Sequence, residues 1–298
     1  MEILDEEVYA DADEVQEEIK NESPAATDQH VVCDIDNVLQ AIHLPGFESY
    51  QQDLKKRKIS LTERSYTIAL FGAFSAGKSS FANAILGEHV LPVSPNPTTA
   101  AVNRIRPVTN ENRHRDVIVT FKSEEMLVDD IMTLAKVCEP PNASLEELIT
   151  WLKTKNVLTD SRLPKMYQAY LNAMLEGYEE VRSVIGSAKK ITFDNFGSYV
   201  TDEEKACYIA SMDLFYDCEV TKQGITLVDT PGADSINARH TNVSFEYIKH
   251  ADAILYVTYY NHALSRADKD FLMQLGRVKD VFELDKMFFY CQCCRSCQ

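Results

Sequence analysis

From residue 66 onward, short apolar runs of strand length alternate with stretches of helical period. Thr67-Ile68-Ala69-Leu70-Phe71 is an unbroken run ending at Gly72, the pattern of a strand buried on both faces. Lys78 to Leu86 reads as a helix, and Val102 to Val108 and Val117 to Phe121 read as strands. Residues 124–137, 145–155 and 164–186 are helical by periodicity, punctuated by Pro140-Pro141 and Pro164. After Gly224 the run Ile225-Thr226-Leu227-Val228 leads into Asp229. A helix around 242–250, a strand Ala253–Thr258, a helix around 265–276 and a strand Met287–Phe289 follow. Such alternation predicts an α/β fold: a mainly parallel sheet with helices on both faces.

Upstream, Leu4, Val8, Ala12, Val15 and Ile19 share one helical face between acidic residues. Residues 1–30 are therefore open between a short amphipathic helix and a disordered acidic tail. Asn21-Glu22-Ser23-Pro24 reads as a break. Residues 31–64 form an N-terminal helical extension, helical in two pieces around Pro45-Gly46 over 34–62, with Lys55-Lys56-Arg57-Lys58 as a solvated face. The 128 residues between Ala100 and Asp229 exceed what a minimal nucleotide-binding fold needs, and their helices predict an inserted segment over about 122–212. No chemistry can be assigned to it from its residues.

Composition narrows the function classes. The apolar fraction of 45% is that of a globular protein. No apolar run reaches the roughly 18 residues of a membrane span, and no basic-apolar signal opens the chain, so the expectation is a cytoplasmic protein. A net charge of −16 argues against nucleic-acid partners, although eleven acidic residues and a single lysine fall within residues 1–30. Cys33, Cys138, Cys207 and Cys218 are scattered as reduced thiols are, whereas the other four cysteines crowd into the last eight residues. None of the seven histidines has metal-ligand spacing.

The chemistry sits at Gly72-Ala73-Phe74-Ser75-Ala76-Gly77-Lys78-Ser79, a G-x-x-x-x-G-K-S phosphate cradle with a strand before it and a helix after it. Glycines let successive N–H groups point at phosphate oxygens, and the helix N-terminus adds partial positive charge. Lys78 is expected on the β/γ-phosphates and the Ser79 hydroxyl on Mg²⁺. A chance glycine-rich turn is the competing reading, and the flanking elements weigh against it. Asp229-Thr230-Pro231-Gly232 follows an apolar strand, which puts a carboxylate at the sheet's ligand-binding edge. Asp229 would hold the magnesium, and the Gly232 N–H would meet the γ-phosphate. Between the two lies Pro95-Asn96-Pro97-Thr98-Thr99-Ala100, a stiffened loop whose Thr99 or Thr98 completes the metal shell, with Thr99 preferred.

These three segments, Gly72–Ser80, Leu91–Thr99 and Asp229–Ser235, resemble the GTPase head of bacterial dynamin-like proteins, most nearly the second head of the two-headed Bacillus type. The resemblance covers about residues 65–289. It implies a P-loop GTPase fold, GTP and GDP as ligands, Mg²⁺, head-to-head dimerisation of the intact protein and membrane remodelling. In such a protein membrane contact is peripheral and would come through regions this chain lacks. Ala233 follows Gly232, so the water-orienting glutamine of Ras-like enzymes is missing. The resemblance assigns support of the transition state to Ser75, with a monovalent cation (K⁺ or Na⁺) and the partner head. Eukaryotic members often carry Gln where Phe74 stands, which leaves the cation open. Thus Gly72, Phe74, Ser75, Ala76, Gly77, Lys78, Ser79, Ser80, Thr98, Thr99, Asp229 and Gly232 are the expected nucleotide site, with Ser75, Lys78 and Thr99 catalytic. Arg239 is open between an arginine finger and a surface arginine.

A guanine-specific site also needs an N-K-x-D-like element after its next strand, because an Asp there pairs with the base. The strand Met287–Phe289 instead meets Tyr290-Cys-Gln-Cys-Cys-Arg-Ser-Cys-Gln298. Three explanations compete: a C-x-C-C-x-x-C metal knuckle, a disordered tail, and a frameshift, of which the frameshift is preferred. One codon choice for residues 290–298, read one base later, encodes Ile-Val-Asn-Ala-Ala-Asp-Leu-Ala, a continuing strand followed by N-x-x-D. The expectation is thus a truncated dynamin-like head. Its rivals are a non-catalytic remnant, a ribosome-assembly GTPase, for which a basic RNA-binding surface is lacking, and an ATPase.

Overall fold

The structure is a computed structural model that describes residues 24–41, 46–63, 65–73, 76–91, 101–154, 157–231, 250–259 and 286–292, together with 269, 272 and 273. The chain divides into two compact units, Met1–Ser65 and Tyr66–Gln298. In the first, helices Pro24–Ala41 and Glu48–Glu63 are the two pieces expected on either side of Pro45-Gly46, the first beginning earlier than residue 34, and Lys58 Nζ reaches Asp36 Oδ1 at 2.5 Å. Proline suits the opening position of the first helix because its missing N–H would have no intrahelical partner.

The second unit is built on one eight-stranded sheet. Its strands are β1 (Tyr66–Phe71), β2 (Val102–Arg106), β3 (Asp116–Phe121), β4 (Ala188–Ile191), β5 (Ile209–Phe215), β6 (Ile225–Asp229), β7 (Ala253–Tyr259) and β8 (Met287–Gln292). They lie in the order β4-β3-β5-β2-β6-β1-β7-β8. The half formed by β6, β1, β7 and β8 is parallel, as the alternation of elements predicts. The other half makes the sheet mixed: β2 runs antiparallel to β6, and β3 runs antiparallel to both β5 and β4. Only β2 and β5 pair in parallel there.

Alternate positions feed two apolar layers. Leu70, Ile105, Leu214 and Leu227 pack with Ala82 and Leu86 of helix Lys78–Leu86 and with the helices of the 124–206 region. Ala69, Phe71, Val102, Val228, Ile254 and Tyr256 form the opposite layer, against Leu272 and Met287. The segment expected as an insertion contributes β4 and β5 to the sheet itself. Its helices Glu124–Leu134, Leu145–Thr154 and Lys165–Val181 continue the first layer. Where helix Lys165–Val181 crosses the short helix Glu203–Ala206, a Cβ on Gly177 would lie 2.1 Å from the Glu204 carbonyl oxygen, so only glycine fits.

A polar knot sits inside this layer. Lys122 Nζ donates to Asp130 Oδ2 and to the Tyr170 hydroxyl, both at 2.8 Å. The Tyr170 hydroxyl lies 3.0 Å from the same carboxylate oxygen and 3.1 Å from the Cys207 carbonyl oxygen, and burial raises its pKa. The knot joins the end of β3 to helices Glu124–Leu134 and Lys165–Val181. Breaking a buried ion pair by removing one partner strands the other charge, so Asp130→Ala should cost ~3–5 kcal/mol. Tyr170→Phe should cost only about 1 kcal/mol. Urea unfolding followed by circular dichroism checks both; equal losses would mean that the ion pair is not the dominant element of the knot.

Candidate nucleotide-phosphate site

The site lies where β1 and β6 end and β2 begins, at one edge of the sheet. β1 finishes at Gly72, whose φ of +147° and close approach exclude a side chain: a Cβ there would sit 2.0 Å from the Val257 carbonyl oxygen. Gly77, at φ +93°, caps the helix that starts at Lys78, and its carbonyl oxygen accepts from the Phe81 N–H at 2.7 Å. Glycine is suited to this left-handed turn, and the turn aims the first N–H groups of the helix outward.

Lys78 is buried and its Nζ donates to the Gly72 and Ala73 carbonyl oxygens at 3.0 and 2.9 Å, bracing the loop from inside. Ala76 is buried under the loop, and Ser80 is exposed on the first helical turn. The Ser79 hydroxyl donates to Asp229 Oδ2 at 2.6 Å, a contact between residues 150 apart in sequence. The structure therefore brings Gly72, Ala76, Gly77, Lys78, Ser79, Ser80 and Asp229 to one end of the sheet. Phe74, Ser75, Thr98, Thr99 and Gly232, with Ala233 and Arg239, lie outside the described residues, as does the tail beyond Gln292. Of that tail, Tyr290, Cys291 and Gln292 continue β8 alongside β7.

Asp229 is buried, and its Oδ1 has no hydrogen-bond partner among the described residues. Desolvation raises its pKa, opposed by the positive charge of Lys78 and the hydrogen bond from Ser79. A buried carboxylate oxygen with a coordination position to spare, beside a serine hydroxyl, is a hard-oxygen donor set of the kind that suits Mg²⁺. No group of three or more His, Cys, Asp or Glu gathers among the described residues. A magnesium site completed by phosphates and water does not need one.

Two positioning residues escaped the motif reading. Thr230 is buried, and its hydroxyl and N–H both donate to the Leu70 carbonyl oxygen, at 2.6 and 3.4 Å, tying the turn after β6 to β1. Its place in Asp-Thr-Pro-Gly was the available signal. Asn83 is also buried; its Oδ1 accepts from the Val90 and Leu91 N–H groups at 2.9 and 2.7 Å. Its Nδ2 donates to the Leu91 carbonyl oxygen at 2.8 Å, which pins the segment leading toward Thr98 onto the loop helix. Nothing in the local pattern distinguishes it from a solvated helical asparagine.

Two predictions follow from this geometry. Asn83→Ala leaves the Leu91 N–H and carbonyl unpaired in the interior, while the Val90 N–H keeps the Glu88 carbonyl oxygen at 3.0 Å, and should cost ~1–3 kcal/mol per stranded group, read by urea unfolding. A loss within experimental error would show that the clamp is replaced by water. For Asp229, the raised folded-state pKa means that the folded chain holds a proton the unfolded chain has already released. Stability therefore falls as pH rises from the ordinary aspartate value through the raised one. In nucleotide-free protein the melting temperature of Asp229→Asn, relative to the unsubstituted chain, should rise with pH across that window and then level. A difference that is flat with pH would contradict the assignment.

The profile of the dynamin family matches residues 68–287. Dynamin-like protein A of Bacillus subtilis is 43% identical over 238 residues, which is 79% of this chain and 20% of that protein. Dynamin-like protein 1 of Campylobacter jejuni is 26% identical over 234 residues, 76% of this chain and 28% of the relative. A solved structure of an oligomerised bacterial dynamin pair, described as providing a mechanism for long-range sensing and tethering of membranes, aligns with a TM-score of 0.52 at 20% identity. It covers 90% of this chain and 38% of that one, so the chain spans less than two fifths of the length of each of these relatives. With its phosphate loop and buried aspartate at one sheet edge, the chain belongs to the dynamin family and carries its GTPase domain.

Proposed function

We propose that this chain binds GTP with Mg²⁺ and hydrolyses it as the head of a dynamin-like protein that works in head-to-head pairs. The observation that carries the reading is the 2.6 Å hydrogen bond from Ser79 to Asp229, whose second oxygen has no partner among the described residues. It joins the phosphate loop to the strand that leads into the γ-phosphate-sensing turn. In this reading the N-terminal N–H groups of helix Lys78–Leu86 and the Lys78 ammonium hold the phosphate oxygens and offset charge that builds up as the bond to the γ-phosphoryl group breaks. Ser79, Asp229 and Thr99 or Thr98 would hold Mg²⁺, which when bound draws charge from the β- and γ-oxygens.

Ser75, a monovalent cation and the partner head supply the transition-state support that a glutamine gives in Ras-like sites. Pairing of heads is supported by the kinship with an oligomerised bacterial dynamin pair. Any membrane contact in this reading is peripheral. No helix among the described residues is long and apolar enough to cross a membrane. The sequence contains no N-K-x-D segment, so the guanine preference in this reading follows from the family alone.

The test is GTP turnover by the unsubstituted chain and by Lys78→Ala, each in K⁺ and in Na⁺. Lys78→Ala should lose about 10²-fold or more, and turnover by the unsubstituted chain should differ between the two cations. Turnover equal to that of Lys78→Ala would overturn the hydrolytic reading, and ATP competing as well as GTP for binding would overturn the guanine preference.

A further inference from the structure

The site edge carries a second unpartnered oxygen that no motif marks. Asn103 Oδ1 on β2 is buried without a hydrogen-bond partner among the described residues, as is Asp229 Oδ1. The two residues are register partners in the antiparallel β2–β6 ladder. Their side chains therefore leave the sheet on the same face, with Cβ atoms about 5 Å apart. That face carries the helix of the phosphate loop. Ile105 and Leu227, the corresponding same-face pair two residues along each strand, pack in the layer that holds Ala82 and Leu86, whereas Val102 and Val228 pack in the opposite layer. On its other flank Asn103 is paired with Met212 of β5, whose side chain has no donor to offer.

Buried polar oxygens are normally paired, and leaving two of them side by side is costly unless something outside the fold supplies donors. We infer that Asn103 is a positioning residue of the magnesium site: its Oδ1 accepts a hydrogen bond from a water of the hydrated ion that Asp229 and Ser79 hold. The inference rests on the Mg²⁺–nucleotide reading above. Mg²⁺ parts with its water reluctantly and keeps several when bound through few carboxylates, so acceptors one layer out orient its hydration shell. An amide oxygen fits that place because it accepts without adding a negative charge beside an already buried carboxylate. In this arrangement Asn103 fixes both the water and, through it, the orientation of Asp229. It touches neither nucleotide nor the reacting phosphorus.

The experiment measures retention of the fluorescent nucleotide mant-GDP against Mg²⁺ concentration, with affinity in EDTA recorded alongside. Asn103→Ala should raise the Mg²⁺ concentration for half-maximal retention by about 10-fold, as other outer-shell substitutions do. Affinity in EDTA should not move, which separates the effect from general loosening of the fold. Asn103→Asp keeps the acceptor and adds a charge that is costly in the ion-free fold and offset only when the ion is bound, so its half-maximal Mg²⁺ concentration should fall. An unchanged Mg²⁺ requirement in Asn103→Ala would overturn the inference. So would a raised requirement in Asn103→Asp, because the amide would then act as a donor to Asp229. Where Asn103→Ala does not fold, Asn103→Asp decides alone: a lowered requirement supports the inference, and an unchanged or raised one overturns it. If the unsubstituted chain shows no Mg²⁺-dependent retention, the nucleotide-site reading itself fails and this inference fails with it.

Discussion

The hydrogen bond between Ser79 and Asp229 is the contact on which the site is organised. It forms only because β1 and β6 lie side by side in parallel, with Leu70 opposite Asp229, so that the loop after β1 and the end of β6 share one edge. A carboxylate buried at that edge is unfavourable on its own. Ser79 and Lys78 offset part of the cost, and one oxygen is left for an incoming partner. Each supporting feature serves that placement. Gly72 allows the backbone to pass against Val257, Gly77 turns the chain into the helix, and Thr230 ties the turn after Asp229 to β1.

The rest of the unit holds this edge in place. β2 runs against β6, which brings the start of β2 to the same edge as the end of β6 and sets Asn103 opposite Asp229. β5 holds β2 from the other side, through a cross-strand ion pair of Arg104 Nε with Asp213 Oδ1 at 2.5 Å. The polar knot of Lys122, Asp130 and Tyr170 fixes the helices that cover this half of the sheet. Asn83 then sets the exit of the loop helix toward the threonine-bearing segment. The large segment between Ala100 and Asp229 is thus part of the frame that positions the aspartate.

Much of the site was legible in the sequence because its chemistry restricts residue type at fixed spacing. A strand ending in glycine, a turn, Lys-Ser and a helix leave few alternatives, and Asp-Thr-Pro-Gly after an apolar run repeats the logic. The parallel half of the sheet was legible for the same reason: its strands are continuous apolar runs. β5 was not, because Asp213 interrupts its run, and only the tertiary partner Arg104 explains a charge at that position. β4 is a short edge strand, Ala188–Ile191, with two lysines and little burial, so it carries no apolar signature. Gly177, Asn83 and Asn103 depend on what lies opposite them in space, and a single sequence does not encode that locally.

The most direct measurement of the central claim is GDP affinity with and without Mg²⁺ for the unsubstituted chain and for Ser79→Ala. If the hydroxyl and Asp229 together hold the ion, Mg²⁺ should tighten GDP binding to the unsubstituted chain by about 10-fold or more, and this gain should be absent in Ser79→Ala. An equal Mg²⁺ gain in both proteins would contradict the account.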